Sequence, residues 1–253
     1  KAYGLLDGLS ELYDSSASCN IDAICNETHG AWETSQFKNA RDASARILIS
    51  GNGGMGFCSG TLVNSTGNTS SSCKNLFLTA SHCDGGNGRT DAHFENWRFH
   101  FNYEHTECEG AKFLSRSNYP SGIGNTTNEN PGLVQDFLVL ELNPIPASYE
   151  TYKVGWNKRS DIAMENADFS HENYKFFIGF HHPGGNPKKQ SIATTIYGNG
   201  TFNQFSVPAT HWNMNFDKGC TQGGSSGSGL FDQDGNIVGV LSGGQGNTNG
   251  MYS

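Results

Sequence analysis

The sequence predicts an all-β protein, and three observations carry that prediction. Thirty-three of the 253 residues are glycine, Asn and Ser are also plentiful, and only 35% are apolar, a balance that favours short strands and turns over long helices. The apolar residues fall into brief runs bounded by Gly, Pro, Asn and Ser. The segment Asn143-Pro144-Ile145-Pro146 stops one such run and divides the chain into two halves. A chain of this length buries a good core as one large β domain or two small ones.

Bulk properties remove several function classes. No run approaches the roughly 18 apolar residues of a membrane span. The net charge is −8 with Lys and Arg scattered, which argues against a nucleic-acid partner. The first residues, Lys1 to Gly8, lack a basic segment followed by an apolar one, so any export signal is expected to have been removed already. Seven cysteines (19, 25, 58, 73, 83, 108 and 220) lack paired Cys-x-x-Cys spacing, and disulfides in a secreted protein fit them better than zinc. Their odd number leaves one thiol over. Five Asn-x-Ser/Thr sequons occur, but roughly four or five arise by chance in a chain so rich in these residues, so they say nothing of glycosylation.

Taken in order, residues 1–45 are polar and irregular and read as an extension strapped to the body by disulfides. A first β unit, 46–145, opens with Ala45–Ser50, the turn Gly51–Gly54 and the strand Gly56–Val63, a hairpin. Residues 64–75 are a polar loop. Leu76–Leu78 then runs into Thr79-Ala80-Ser81-His82-Cys83, a strand end that delivers a histidine. Trp97–Tyr103 alternates aromatic and polar residues, as a half-buried strand does. Leu133–Leu142 is apolar apart from Gln135, Asp136 and Glu141, and an Asp in such a run must be hydrogen-bonded or paired if buried. The second unit, 146–253, holds the strand runs Lys175–Pro183, Ser191–Tyr197, His211–Phe216 and Asn236–Leu241. His181-His182 has no acidic or Cys cluster to complete a metal site, so no metal is expected, and no organic cofactor.

The chemistry gathers around Gly223-Gly224-Ser225-Ser226-Gly227-Ser228-Gly229. A serine hydroxyl is a poor nucleophile until an imidazole takes its proton, and the imidazole needs a carboxylate to fix its tautomer. His82, Asp136 and Ser226 occur in that order. The same turn also fits Gly-x-Ser-x-Gly with Ser225 as nucleophile, but that elbow requires a histidine after the serine and should open a helix; the last histidine is His211, and Gly-Ser-Gly-Leu-Phe-Asp is a poor helix former.

The order His82, Asp136, Ser226, with Thr79–Cys83 and Gly224–Ser228, resembles the chymotrypsin-like serine peptidases. Ser18–Asp22, Cys58–Asn64, Asp136–Leu142, Val154–Trp156, His181–Pro183 and Gly224–Ser228 are similar, in register, to the bacterial lysyl endopeptidase branch. The resemblance implies two six-stranded antiparallel β-barrels with a cleft between them. It makes Ser226 the nucleophile, His82 the general base, Asp136 its orienting carboxylate, and the backbone N–H groups of Gly224 and Ser226 the oxyanion hole. It implies disulfides Cys58–Cys83 and Cys25–Cys108, a protein or peptide substrate, a proteinaceous inhibitor or prosegment as a further partner, and a secreted monomer. A catalytically silent or latent protease-fold binding protein is the rival from another class; an esterase on the same fold would use identical chemistry.

The chain departs from the pattern in three places. Ser225 replaces the Asp that, in trypsin-type enzymes, receives the freed N-terminal amine, so activation by N-terminal insertion is not expected. The family continues with a final strand and helix beyond Ser253, which would carry the usual partner of Cys19; Cys220 and Cys73 are the alternatives here. No acidic residue follows the substrate-binding strand Gly239–Gly244. The expected pocket walls, Gly219 with Cys220, Thr221 and Gln222 facing Ser242, Gly243 and Gly244, with Gly250 near the base, are neutral. Gly243 and Gly244 are expected to leave the entrance open, and Asp217 to lie at the rim or outside. Acceptance of a neutral residue before the scissile bond follows.

Overall fold

Strand-forming runs dominate the chain, and they assemble into two antiparallel sheets. The computed structural model describes residues 17–25, 27, 34–51, 54–69, 72–84, 91–110, 136–158, 176–194, 196–202, 210–244 and 249–252. Its elements in chain order are β1 (Ile21–Asp22), α1 (Thr34–Ala43), β2 (Ser44–Gly51), β3 (Gly54–Val63), β4 (Asn75–Thr79), α2 (Asp91–Phe94), β5 (Arg98–Phe101), β6 (Leu138–Leu142), β7 (Phe177–His181), β8 (Lys189–Ala193), β9 (Ile196–Gly200), β10 (His211–Asn215), β11 (Gly229–Phe231), β12 (Ile237–Gly243) and β13 (Asn249–Tyr252).

The first sheet runs β5-β2-β3-β4-β6. The β2–β3 hairpin is in register from Gly51 opposite Gly54 to Ser44 opposite Thr61. Alternate residues of its strands, Ala45, Ile47 and Leu62 among them, enter a core built on Phe77, Phe94, Trp97, Phe99, Phe101, Leu138 and Leu140. Phe77 packs edge-on to Phe99 and Phe101, at centroid distances of 5.0 and 6.2 Å. Such pairs add roughly 0.5–1.5 kcal/mol each beyond the area they bury.

The second sheet runs β1-β8-β7-β11-β12-β13-β10-β9. Among the described residues the sheets thus hold five and eight strands, against the six and six that the resemblance implies. One addition comes from the N-terminal stretch: β1 pairs with β8, Ile21 opposite Gln190. That stretch is also less irregular than its polar composition suggests. In α1 the residues Phe37, Ala40 and Ala43, at spacings of three, form a buried stripe. Phe37 meets Phe180 edge-on at 5.3 Å, and the three join a core with Ile178, Ile192 and Phe231.

The run Ser191–Tyr197 is two strands, not one. The break falls at Thr194, whose backbone N–H and hydroxyl both donate to Asp217 Oδ2 at 2.7 Å. Residues 133–135 of the run before β6 lie outside the described residues. Three disulfides close, Cys58–Cys83, Cys25–Cys108 and Cys19–Cys220, while Cys73 is a free, exposed thiol. Between the two alternatives for Cys19, the structure selects Cys220.

Candidate active site

Sheet register brings a histidine and an aspartate together. β4 and β6 are antiparallel with Thr79 opposite Leu138. The residues just past the end of β4 therefore lie beside those just before β6. There Ser81–Asp84 forms one turn of 3-10 helix, and Cys83 ties it to β3 through Cys58. His82 Nδ1–H donates to Asp136 Oδ2 at 2.6 Å, and the His82 backbone N–H donates to Asp136 Oδ1 at 2.8 Å. The Asp136 side chain is fully buried, that of His82 one-third exposed. A buried carboxylate is tolerable when charge-assisted bonds occupy it, and this one grips both the ring and the backbone of the same residue. With Nδ1 committed as a donor, Nε2 of a neutral ring is left as the basic nitrogen.

The serine turn is ordered almost atom by atom. All five carbonyls from Gln222 to Ser226 accept hydrogen bonds: from Ser225 N, Gly184 N, Ser59 Oγ, Ser228 N and Ser59 N respectively. Gln222 N–H donates to Ser225 Oγ at 3.1 Å, and Gly227 N–H to Leu241 O at 2.8 Å. The N–H groups of Gly224 and Ser226, and that of exposed Gly223, have no acceptor among the described residues. With the carbonyls of the turn bonded, these three N–H groups are the backbone donors the turn leaves for other partners. The bend rests on Gly224 (φ +95°) and Gly227 (φ +85°). A Cβ at Gly227 would lie 2.2 Å from Thr79 Oγ1 and 2.8 Å from Ala80 N, so the turn packs directly on the strand end that carries His82. Ser225 and Ser228 are fully buried, whereas Ser226 is partly exposed. The Ser226 carbonyl oxygen is 3.8 Å from Cys83 Sγ, one residue from His82.

The expected pocket walls fare unevenly. Cys220 is buried in its disulfide with Cys19, so its side chain lines nothing. Thr221 is buried. The Gln222 side-chain oxygen accepts from Ala17 N–H and Asn20 Nδ2, both at 2.8 Å. Ser242 Oγ lies 3.0 Å from His211 Nε2. The entrance is not open at Gly243, where a Cβ would come within 2.6 Å of the Phe202 ring. Gly244 is exposed, and Gly250 packs against Phe216 and Tyr252. Asp217 is exposed and spends Oδ2 on Thr194.

Sequence reasoning missed Phe202 and His211, whose rings lie 6.0 Å apart. Burial holds the His211 pKa below its usual value, against an opposing pull from the Asp136 carboxylate. His211 opens a recognisable strand, but nothing local marks it as facing this region. His181 and His182 are fully buried. His181 lies between Ser225 and Ser191, and His182 Nδ1 is 2.9 Å from Asn186 O. Among the described residues no cluster of His, Cys, Asp or Glu could hold a metal.

Comparison with known proteins follows the same lines. A family profile described as lysyl endopeptidase, C-terminal domain, matches residues 13–252. A lysyl endopeptidase from Pseudomonas aeruginosa is 28% identical over 232 residues, covering 88% of this chain and 44% of that protein. The chain thus spans less than half the length of that relative. Among solved structures, the protease Anisep from Arthrobacter nicotinovorans superposes with a TM-score of 0.54 at 18% identity, covering 83% of this chain and 89% of its own. The thermostable serine protease AL20 from an extremophilic microorganism gives 0.53 at 14% identity, over 84% and 90%. The HtrA-type protease AlgW with a tripeptide gives 0.53 at 14%, over 86% and 57%. At these identities the structures speak for a shared fold.

Proposed function

The chain belongs to the lysyl endopeptidase C-terminal domain family, and from that premise we propose that it hydrolyses peptide bonds through an acyl-enzyme formed on Ser226. Ser226 Oγ attacks the peptide carbonyl carbon while His82 Nε2 takes the hydroxyl proton. Asp136 keeps the ring in the Nδ1–H tautomer and stabilises the imidazolium that forms. The carbonyl oxygen, now anionic, lies between the N–H groups of Gly224 and Ser226. His82 returns the proton to the departing amine, and a water deprotonated by the same ring then releases the acyl group. The observation that carries this reading is the double grip of fully buried Asp136 on His82. A fluorophosphonate, which captures an activated serine, should modify the protein once, at Ser226; Ser226→Ala should take up none and lose peptidase activity. Labelling elsewhere, or turnover surviving the substitution, would sink the assignment.

The relatives are called lysyl endopeptidases, but lysine preference needs a buried negative charge to meet the ammonium. The pocket residues named above are neutral and Asp217 is engaged with Thr194, and on those walls we read acceptance of a neutral residue before the scissile bond. A peptide-library digest read by mass spectrometry, with Asp217→Asn alongside, tests this. Cleavage almost only after lysine would refute it, and its loss in the variant would identify Asp217 as the acid. Three disulfides suit an oxidising compartment, so we read the protein as secreted and acting as a monomer on extracellular protein or peptide, open to a proteinaceous inhibitor or prosegment. No helix among the described residues is long and apolar enough to cross a membrane.

A further inference from the structure

Beneath the serine turn lies a second histidine that the hydrolytic mechanism does not use. His181 ends β7 and is fully buried. Its Nδ1 is 2.8 Å from Ser225 Oγ, and its Nε2 is 3.1 Å from Ser191 Oγ on the neighbouring strand β8. A neutral imidazole carries one N–H, so His181 donates to one of these two hydroxyls and accepts from the other, while Ser225 Oγ also accepts the Gln222 N–H. Every polar atom of the ring is then satisfied in the neutral form. Burial, aided by the Lys189 ammonium nearby, holds the His181 pKa down to about 3, so the ring stays neutral at ordinary pH.

Ser225 lies between Gly224 and Ser226, two of the three residues of the turn whose N–H groups have no acceptor among the described residues. Its side chain is fully buried against His181, and it occupies the place where trypsin-type enzymes use a carboxylate to receive an N-terminal amine. We propose that His181 is a positioning residue, fixing the oxyanion-hole donors Gly224 N–H and Ser226 N–H by holding Ser225 from below. A hydroxyl–imidazole bond does here without net charge what an ion pair does elsewhere, and needs no newly cut chain end. The far side of the turn is held by the extension, through the bonds of Ala17 and Asn20 to Gln222 and through Cys19–Cys220.

This inference rests on the reading of Ser226 as nucleophile, and the test separates the two. His181→Phe keeps a buried ring but removes the hydrogen-bonding nitrogens; His181→Asn places an amide group near the Nδ1 position; Ser225→Ala removes the hydroxyl. Each folded variant is assayed for kcat and KM on a fluorogenic peptide taken from the library digest, and for inhibition by the corresponding peptidyl aldehyde, whose hemiacetal oxygen uses the same donors. Losing one oxyanion donor outright costs roughly 10²–10³ in turnover. His181→Phe should accordingly lower kcat about 30- to 100-fold with KM within about threefold, and weaken the aldehyde in parallel. Ser225→Ala should lose about tenfold, His181→Asn should recover most of the loss, and the double variant His181→Phe/Ser225→Ala should be no worse than His181→Phe. If His181→Phe does not fold, Ser225→Ala carries the test. A folded His181→Phe or Ser225→Ala with kcat within twofold of the parent overturns the proposal, as does equal impairment by Phe and Asn, or a rise in KM alone. Turnover surviving in Ser226→Ala overturns the parent reading instead. A dead Ser226→Ala beside an unaffected Ser225→Ala overturns this inference alone.

Discussion

His82 and His181 carry the same ring to opposite sides of one turn and meet opposite fates. His82 is one-third exposed, and its Nδ1–H points into a carboxylate. His181 is sealed from solvent, and its Nδ1 bonds to a neutral hydroxyl. A proton arriving on His82 finds a counter-charge already in place. A proton arriving on His181 finds none, and finds the Lys189 ammonium nearby. The pair illustrates that histidine chemistry belongs to the partner and the burial rather than to the ring: the first site suits the base proposed for Ser226, the second the neutral strut proposed for Ser225.

The sharpest way to break the comparison is to take the charge from the first site. Asp136→Asn keeps the shape but lets the amide donate to Nδ1, which forces the ring into the wrong tautomer. Turnover should fall about 10⁴-fold with little change in KM. A loss under tenfold in steady-state kinetics would mean that His82 needs no carboxylate.

The next effect concerns protons on the second site. With its folded pKa lowered to about 3, His181 is protonated far more readily in the unfolded chain, where it has its ordinary value of 6.5. Its contribution is therefore fully present above about pH 6.5 and is lost as pH falls through the window down to about 3. The size is on the order of 5 kcal/mol at the acid end. Burial displaces His100 and His182 in the same direction. Urea midpoints measured between pH 7 and 3.5 should fall steeply for the parent and less steeply for His181→Phe. Parallel curves would show that His181 does not take up its proton on unfolding.

The smallest effect pushes the turn itself from the His82 side. Gly227→Ala places a methyl against Thr79 and Ala80 at positive φ and should destabilise by roughly 2–4 kcal/mol. At Gly223 a Cβ meets nothing within 4 Å, and Gly223→Ala should be close to neutral in stability. Equal melting temperatures for the two variants would mean the turn is not clamped between the two histidines.

Much of this site was legible because its signals are local. Thr79–Cys83, Asp136 before an apolar run, and the glycine-rich turn each carry their signal within a few residues, and the hairpin of β2 and β3 shows in its alternation and glycine turn. What stayed hidden depends on partners distant in sequence. The break between β8 and β9 is set by Asp217, over twenty residues away. Helix α1 looked polar because its buried stripe is one Phe and two alanines, too little apolar mass to stand out; the spacing of Phe37, Ala40 and Ala43, with Lys38 and Asp42 paired one turn apart, was the available sign. Phe202 over Gly243 had no sign at all, since a lone aromatic among polar residues is as often surface as wall. His181 was noticed only as half of a His-His pair, and its meaning lies in Ser225, 44 residues on.

The disulfides also set an order of events in the making of the chain. Their spans are 25 residues for Cys58–Cys83, 83 for Cys25–Cys108 and 201 for Cys19–Cys220. At about 5–20 residues per second, the ribosome finishes the partner of Cys19 roughly 10–40 s after Cys19 itself. Throughout that interval Cys19 is an unmatched thiol, while Cys25, Cys58, Cys73, Cys83 and Cys108 all appear as wrong choices. Of the three bonds, the one that braces the serine turn is thus the last that can form correctly, and the turn acquires that brace only after Cys220, just ahead of the turn itself, has been made.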